Sequence, residues 1–447
     1  MSALSTTAPL VLRRRGALGD LLPIAGFTAA SAVLATVLGG VAAFGSRLSD
    51  QANDPYDLLG TLFTCAVIAS ALLLPSAAGL GAAAARLSLA RREQDLAAIR
   101  LIGGTRQQVV GLAVLDVLAQ AGIGTVLGLA LHVAWSPLLT HLDFGIPAFT
   151  MGELVLPWWG FVLLLLGVLA LAAGSAGIAL LGVAITPLGV ARASRTVKMS
   201  ILRPVIWVGI LVTFVAASKL VDRILGSDEG AIIATMVVLM ALVVGGVNIV
   251  GPFLLWGAAR MIAAVTGRPA LLVGARRLAA DPKAGWRTVS GITFALVIAG
   301  FMTLLNVLSE TSSPDEADFA TAMSTGAYLT LAIAALLAAV STGVTQAARV
   351  LDQADTYRSQ HVGGAEITQL HRARLAEIAI PLALSGVVAT LSALVLLAPM
   401  LMQVASIGAV VQYVLSATAA MALVVVSVLV SSPLVRRAAR GREASAA

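Results

Sequence analysis

The sequence predicts an all-α polytopic membrane protein that crosses the bilayer with ten transmembrane helices. Hydrophobic residues make up 59% of the 447 positions and charged residues only 11%, a composition that excludes a soluble domain of this length. The apolar runs are roughly 20 residues or longer, which is what a helix needs to span about 30 Å of hydrocarbon. All but Arg47, Lys219 and Arg223 of the 29 Lys and Arg residues lie in alternate gaps between these runs.

This alternation of charge predicts the orientation of the chain. Lys and Arg beside a span stay on the cytoplasmic side, so both termini are predicted to be cytoplasmic. The gaps on the outer side are short and carry acidic residues instead, so we expect no folded outer domain there. The net charge of +7 therefore describes the inner face of a membrane protein, and we expect no nucleic-acid partner.

The spans are predicted at residues 21–45, 57–88, 107–135, 155–187, 203–218, 231–258, 288–309, 324–350, 369–397 and 408–434. The first follows Arg13 to Arg15 and continues past Gly40, so we interpret it as a retained helix and not as a cleaved signal. The second and fourth run on into charged sequence and are predicted to protrude into the cytoplasm. Tryptophans at the ends of spans are predicted to lie at the headgroup boundary: Trp135, Trp158, Trp159, Trp207 and Trp286.

The chain repeats itself around these spans. "RREQDLAAIRLIGGTRQQV" follows the second span and "LDQADTYRSQHVGGAEITQL" follows the eighth, so that Gly103-Gly104 and Gly363-Gly364 align at a shift of 260 residues. Basic amphipathic stretches before the first and seventh spans also correspond. We predict two parallel four-helix repeats, at residues 1–200 and 266–447, joined by a two-helix linker at residues 201–265.

The polar stretch before the first glycine pair is the most informative pattern. Glu93, Leu96, Ile99 and Arg100 recur at three-to-four-residue spacing, which predicts a short cytoplasmic helix with a mixed charged and apolar face. Such a helix can dock on a cytoplasmic partner, whereas the alternative is an ordinary solvated loop helix. The recurrence of the pattern in both halves favours docking.

No residue set in the sequence supports catalysis, so we expect neither enzyme activity nor a cofactor. None of the three lysines ends a phosphate-binding loop. The four histidines lack carboxylate or cysteine neighbours at metal-ligand spacing. Cys65 is the one cysteine, which rules out a disulfide within the chain.

Two acidic residues are predicted to lie inside spans. Asp116 and Glu377 fall about two helical turns into the third and ninth spans, in equivalent places. Ionised groups at that depth are costly and are candidates for function. Helix packing or transmission of a stroke is one interpretation, with Arg374 one turn before Glu377 as a local partner, and contact with substrate is the other.

At the glycine pairs the sequence resembles the FtsX-like permease family, the membrane subunits of MacB-type ABC transporters. "REQDLAAIRLIGGTRQQV" is similar to the coupling segment of the family, and "ARRLAADPKAGWRTVSGI" is similar to its interfacial helix. The second coupling segment departs from the pattern, since Asp352-Gln353 replaces Arg92-Glu93 and Gln360 stands in the place of Arg100. The ten-span layout is similar to the BceB-like branch, without the large outer domain of that branch.

The resemblance implies a bacterial cell-membrane permease subunit worked by a separate ATPase, in two copies, which holds the ATP and Mg²⁺. It implies export or extraction of an amphiphilic substrate such as a lipid, a peptide or a hydrophobic antibiotic, with a role in antimicrobial resistance. The residues that it implies for ATPase coupling are Arg92, Glu93, Leu96, Ile99, Arg100, Gly103, Gly104, Arg106, Gln353, Gln360, Gly363 and Gly364.

Two other functions remain open at the level of the sequence. A non-transporting subunit could relay ATPase motion to a cell-wall enzyme or a sensor kinase, through a small membrane partner. A secondary transporter coupled to ions is the third alternative, and it would need buried ionisable groups along a path.

Overall fold

The computed structural model describes residues 17–50, 58–91, 105–184, 201–225, 229–293, 317–352 and 366–397, with isolated residues or short stretches outside these ranges. Within this part of the chain every regular element is a helix, and no strand is present. The predicted all-α class is therefore confirmed.

The helices differ widely in length. They are α1 (Ala17–Asp50), α2 (Leu58–Arg91), α3 (Arg106–Leu139), α4 (Met151–Leu154), α5 (Trp158–Ala184), α6 (Leu202–Leu225), α7 (Glu229–Val265), α8 (Pro269–Ala280), α9 (Pro282–Arg287), α10 (Ala317–Asp352) and α11 (Ile367–Leu397). The first six predicted spans, the eighth and the ninth each coincide with one of the long helices. The seventh and tenth fall largely outside the described residues.

Six stretches of the described residues are long and apolar enough to cross a membrane. They are Leu21–Leu48, Gln107–Leu139, Met151–Ile178, Gly245–Val265, Ser324–Ala347 and Arg372–Leu394. A chain with several such helices has the character of a multi-pass membrane protein. The total of ten spans and the repeat architecture stay predictions.

The chain divides into two compact units. The first contains α1 to α5, and the second contains α6 to α9, α11 and most of α10. The division of the sequence into two repeats and a linker stays a prediction.

Glycines bring α1 and α3 together in the first unit. A methyl group on Gly124 of α3 would lie 2.9 Å from the Ile24 carbonyl oxygen, and one on Gly128 would lie 2.9 Å from the Ala32 nitrogen. Small residues four positions apart let helices approach closely in lipid, where dispersion contacts hold them together. α5 then packs on α2 and α3, and Phe27 of α1 lies fully buried in the core between these helices.

In the second unit α8 packs against both α7 and α11, and α6 packs on α7. The short helix α9 follows α8 directly and buries Trp286 against Gly251 of α7, where a methyl group would collide with the indole ring. Trp286 is therefore covered by protein and not exposed, and its position at the headgroup boundary stays a prediction. Trp158 and Trp159, by contrast, are exposed as a boundary residue should be.

Candidate functional site

Part of the first predicted coupling segment lies outside the described residues. The predicted coupling residues that lie there are Arg92, Glu93, Leu96, Arg100 and Gly104. Within the described part, Ile99 is half-buried and packs against the core of the first unit. Leu101 has the opposite environment, because 88% of the residue is exposed. The exposed apolar side chain of this segment is thus that of Leu101, which is not among the predicted coupling residues.

A left-handed glycine and a capping box join this segment to α3. Gly103 has φ +98°, a conformation that residues with a Cβ rarely adopt. Two residues later the hydroxyl oxygen of Thr105 accepts from the Gln108 backbone N–H at 3.4 Å, and the Gln108 side-chain oxygen accepts from the Thr105 N–H at 3.0 Å. This reciprocal cap starts α3 at Arg106, a predicted coupling residue.

The second predicted coupling segment has a similar turn. Gln353 lies outside the described residues, whereas Gln360 is half-buried and Gly363 is exposed. Gly364 has φ +95°, and α11 begins three residues later at Ile367. Val362, two residues before the left-handed glycine, is 81% exposed.

The two turns correspond at a shift of 261 residues, one more than the predicted 260. Gly364 follows Gly103 by 261 positions. The same shift relates Leu101 to Val362, the starts of α3 and α11, and Asp116 to Glu377. At this shift the two glycines with left-handed backbone, Gly103 and Gly364, correspond to each other.

Asp116 lies in the buried face of α3. Its Oδ2 accepts from the side-chain nitrogen of Gln120, one turn later, at 2.9 Å, and both residues are buried. Val117 and Ala113 beside it belong to the core of the first unit. The carboxyl group is thus held inside a packed helical interface.

Glu377 has a partner on a different helix. The guanidinium of Arg277, on α8, donates from Nη1 to Glu377 Oε1 at 2.9 Å. The other terminal nitrogen, Nη2, lies 3.5 Å from the side-chain oxygen of Gln360, at the long limit of a hydrogen bond. Arg277 therefore contacts both the second coupling turn and α11. Arg374, the partner considered from the sequence, lies buried on α11.

In the first unit, a second arginine connects the end of α1 to the segment that follows the C-terminal end of α3. Arg47, near the end of α1, donates from Nε to Glu153 Oε1 at 2.7 Å and from Nη2 to Oε2 at 2.9 Å. It also donates to the Ala148 carbonyl oxygen at 3.0 Å, and its guanidinium lies 4.1 Å from the ring centroid of Phe149. Glu153 in turn accepts from the Thr150 N–H at 2.7 Å. We call this group the Arg47 clamp.

A polar cluster lies inside the first unit between α1 and α3. The hydroxyl oxygen of Thr36 is 3.1 Å from His132 Nδ1 and accepts from the indole nitrogen of Trp135 at 2.8 Å. His132 is fully buried. In the described part of the chain no group of three or more His, Cys, Asp or Glu side chains could hold a metal ion.

Within the described residues, the chain is all-helical, has several helices that could span a membrane, and carries a left-handed glycine in each of the two coupling turns. Residues 67–188 match the family model of the FtsX-like permease C-terminal domain. This stretch contains much of α2, the first coupling turn and α3 to α5. The match supports the resemblance to FtsX-like permeases, which are generally non-catalytic membrane subunits of ABC-transporter type that work with an ATPase subunit.

No curated protein and no solved structure matches the chain significantly.

Sequence reasoning missed Leu101, Val362 and Arg277. The first two carry a recognisable signal, since each is an aliphatic residue two positions before the left-handed glycine. Arg277 has no such signal, because its partners lie 83 and 100 residues away along the chain. Only the packing of α8 on α11 brings them together.

Proposed function

We propose that this chain is the permease subunit of an ABC transporter, and that a separate ATPase in two copies binds its two coupling turns. ATP and Mg²⁺ belong to that partner, which drives export or extraction of an amphiphilic substrate from the bacterial cell membrane. Amphiphilic substrates of this kind include a lipid, a peptide and a hydrophobic antibiotic. The observation that carries the proposal is the pair of exposed aliphatic residues, Leu101 and Val362, at the same position of two similar turns.

One exposed aliphatic residue would mean little, because apolar atoms form much of any protein surface. Here the exposure recurs at two places in the chain, each time two residues before a left-handed glycine. Two similar anchors on two similar turns are what two copies of one partner would require. An aliphatic side chain that enters a pocket on the partner contributes to binding through the apolar surface it buries.

The turns are also placed to pass on a movement. Each leads within three residues into a long helix, α3 or α11, that is apolar enough to cross the membrane. α3 has 34 residues and is therefore about 50 Å long. A displacement that reaches the first turn of the helix would move the whole helix, because a hydrogen-bonded helix is stiff along its axis.

The test is binding of the ATPase to chains in which one anchor is removed. We expect Leu101→Ser and Val362→Ser each to weaken binding of a stand-alone ABC ATPase from the same organism, beginning with any encoded beside this gene. Burying an aliphatic side chain is worth about 1.5–3 kcal/mol, so each change should raise the Kd by roughly tenfold or more. Surface plasmon resonance with the chain in nanodiscs measures this.

Val265→Ser is the matched control. Val265 is also 88% exposed but ends α7, away from both turns in sequence, so its replacement should leave the Kd unchanged. Absence of ATPase binding to the wild-type chain, or equal binding by all variants, would contradict the proposal. ATP-dependent movement of a labelled lipid in proteoliposomes then separates a transporter from a relay, which would alter hydrolysis without moving substrate.

A further inference from the structure

The chain between Gln360 and Glu377 contains two adjacent glycines, Gly363 and Gly364, which we call the glycine joint. Gly363 and Gly364 lie between the second coupling turn and α11, and Gly364 has φ +95°. Glycine has the widest backbone freedom of any residue, so a push on one side of such a pair is absorbed by rotation about its φ and ψ angles. Transmission to α11 therefore needs a second connection.

Arg277 provides that connection from outside the joint. Its Nη1 pairs with Glu377 at 2.9 Å on the α11 side, and its Nη2 lies 3.5 Å from Gln360 on the turn side. The side chains of Arg277 and Glu377 are only 28% and 10% exposed, so the pair is largely shielded from water. The planar guanidinium holds its donors at fixed angles, which a lysine ammonium cannot do.

The helix that carries Arg277 is itself packed firmly on α11. A methyl group on Gly274, one turn before Arg277, would lie 2.9 Å from the Ala376 Cβ and 3.3 Å from the Glu377 nitrogen. The backbones of α8 and α11 thus touch beside the ion pair. Close packing of α8 on α11 therefore fixes the backbone position of Arg277. Of its contacts with Glu377 and Gln360, the contact with Gln360 is the longer and weaker.

We infer that Arg277 is a positioning residue that braces the glycine joint and transmits movement of the second coupling turn to α11. The source of the movement rests on the proposed function, whereas the bracing does not. The charged pair with Glu377 holds the guanidinium in place, and the contact with Gln360 connects the guanidinium to the second coupling turn. A lysine at this position would keep the charged pair and lose the brace.

The bracing is tested without any partner. A spin label on Ser359→Cys, in a Cys65→Ser background, reports the mobility of the second turn by electron paramagnetic resonance. We expect the label to become more mobile in both Arg277→Gln and Arg277→Lys. Arg276→Gln removes an exposed arginine from the same helix and is the matched control that should leave the spectrum unchanged. Equal spectra for all four chains would overturn the inference.

Transmission is tested with the ATPase bound. Arg277→Lys should bind the ATPase with a Kd close to that of wild type and keep its melting temperature. The change in hydrolysis rate on binding should fall roughly tenfold, the size of an ordinary coupling between two sites. Full coupling in Arg277→Lys would overturn the inference, whereas failure of the wild-type chain to bind ATPase would overturn the proposed function and leave the label experiment decisive.

Should Arg277→Gln fold poorly, Glu377→Gln offers a second route. It keeps the shape of the side chain and removes the charge that holds the guanidinium, so the label at position 359 should again gain mobility. An immobile label in this variant would count against the brace.

Discussion

The two glycines of the second turn have different roles although they are neighbours. Gly364 needs the left-handed conformation, whereas Gly363 does not. We expect Gly364→Ala to destabilise the turn by about 1 kcal/mol, because a Cβ is disfavoured at positive φ.

Gly363→Ala is the control. Its methyl group would lie 3.2 Å from the Ser359 carbonyl oxygen, a contact that a small shift relieves. The ATPase Kd of the two variants, measured side by side, distinguishes them: Gly364→Ala should bind more weakly. The reverse order would support a register of 260 over 261.

Asp116 and Glu377 show which properties of a single residue can be predicted from the sequence. The depth of Asp116 and Glu377 follows from their distance to the start of each helix, and they do occupy equivalent positions. Their partners differ, since Asp116 accepts from Gln120 on its own helix and Glu377 pairs with Arg277 on α8. A partner one turn away is visible in the sequence, but one that depends on helix packing is not.

At the scale of the helices, the close contact between α1 and α3 can be tested with a glycine variant. Gly128→Ala should lower stability by about 1–3 kcal/mol, because its methyl group would press on Ser31 and on the Thr28 carbonyl oxygen at 2.5 Å. Thermal unfolding in detergent, followed by loss of the monodisperse peak in size-exclusion chromatography, measures the effect.

Gly122→Ala is the control on the same helix. A methyl group there meets nothing within 4 Å, so the exchange should be neutral or slightly stabilising, since alanine favours helix. Equal melting temperatures for the two variants would mean that α1 and α3 are not in contact as described.

Long apolar helices were predictable, and short elements were not. α1, α3 and α11 contain their predicted spans because an apolar run of bilayer length has few alternatives to a helix. α4 was missed, since a single turn from Met151 to Leu154 leaves no periodic pattern. Its position depends on the carboxylate of Glu153, which accepts from Thr150 and from Arg47 far away in the chain.

The membrane topology of the whole chain can be tested by labelling. In a Cys65→Ser background, Leu101→Cys and Val362→Cys should react with an impermeant maleimide only after the membrane is opened, because both are predicted to be cytoplasmic. Met151→Cys, exposed on the predicted outer side, should react in intact cells. Reaction of Leu101→Cys and Val362→Cys from opposite sides would refute two parallel repeats.

Composition and charge determine most of what the sequence says about the whole molecule. They predict the helical class and the apolar runs, whereas the two glycine pairs predict the turns before α3 and α11. They do not predict which side chains of the turns face solvent. Ile99 packs inward and Leu101 points outward, a difference that depends on the position of the core and not on hydrophobicity.

The Arg47 clamp would restrict any opening of the first unit that the proposed function requires. It ties the end of α1 to the segment that follows α3, whereas the first coupling turn meets α3 at its other end, about 50 Å away. A rod pinned at one tip and pushed at the opposite tip sweeps its widest arc where it is pushed. Under the proposed function, the gap between α3 and its neighbours in the first unit would therefore widen most at the end that carries the coupling turn, which the charge pattern predicts to be cytoplasmic.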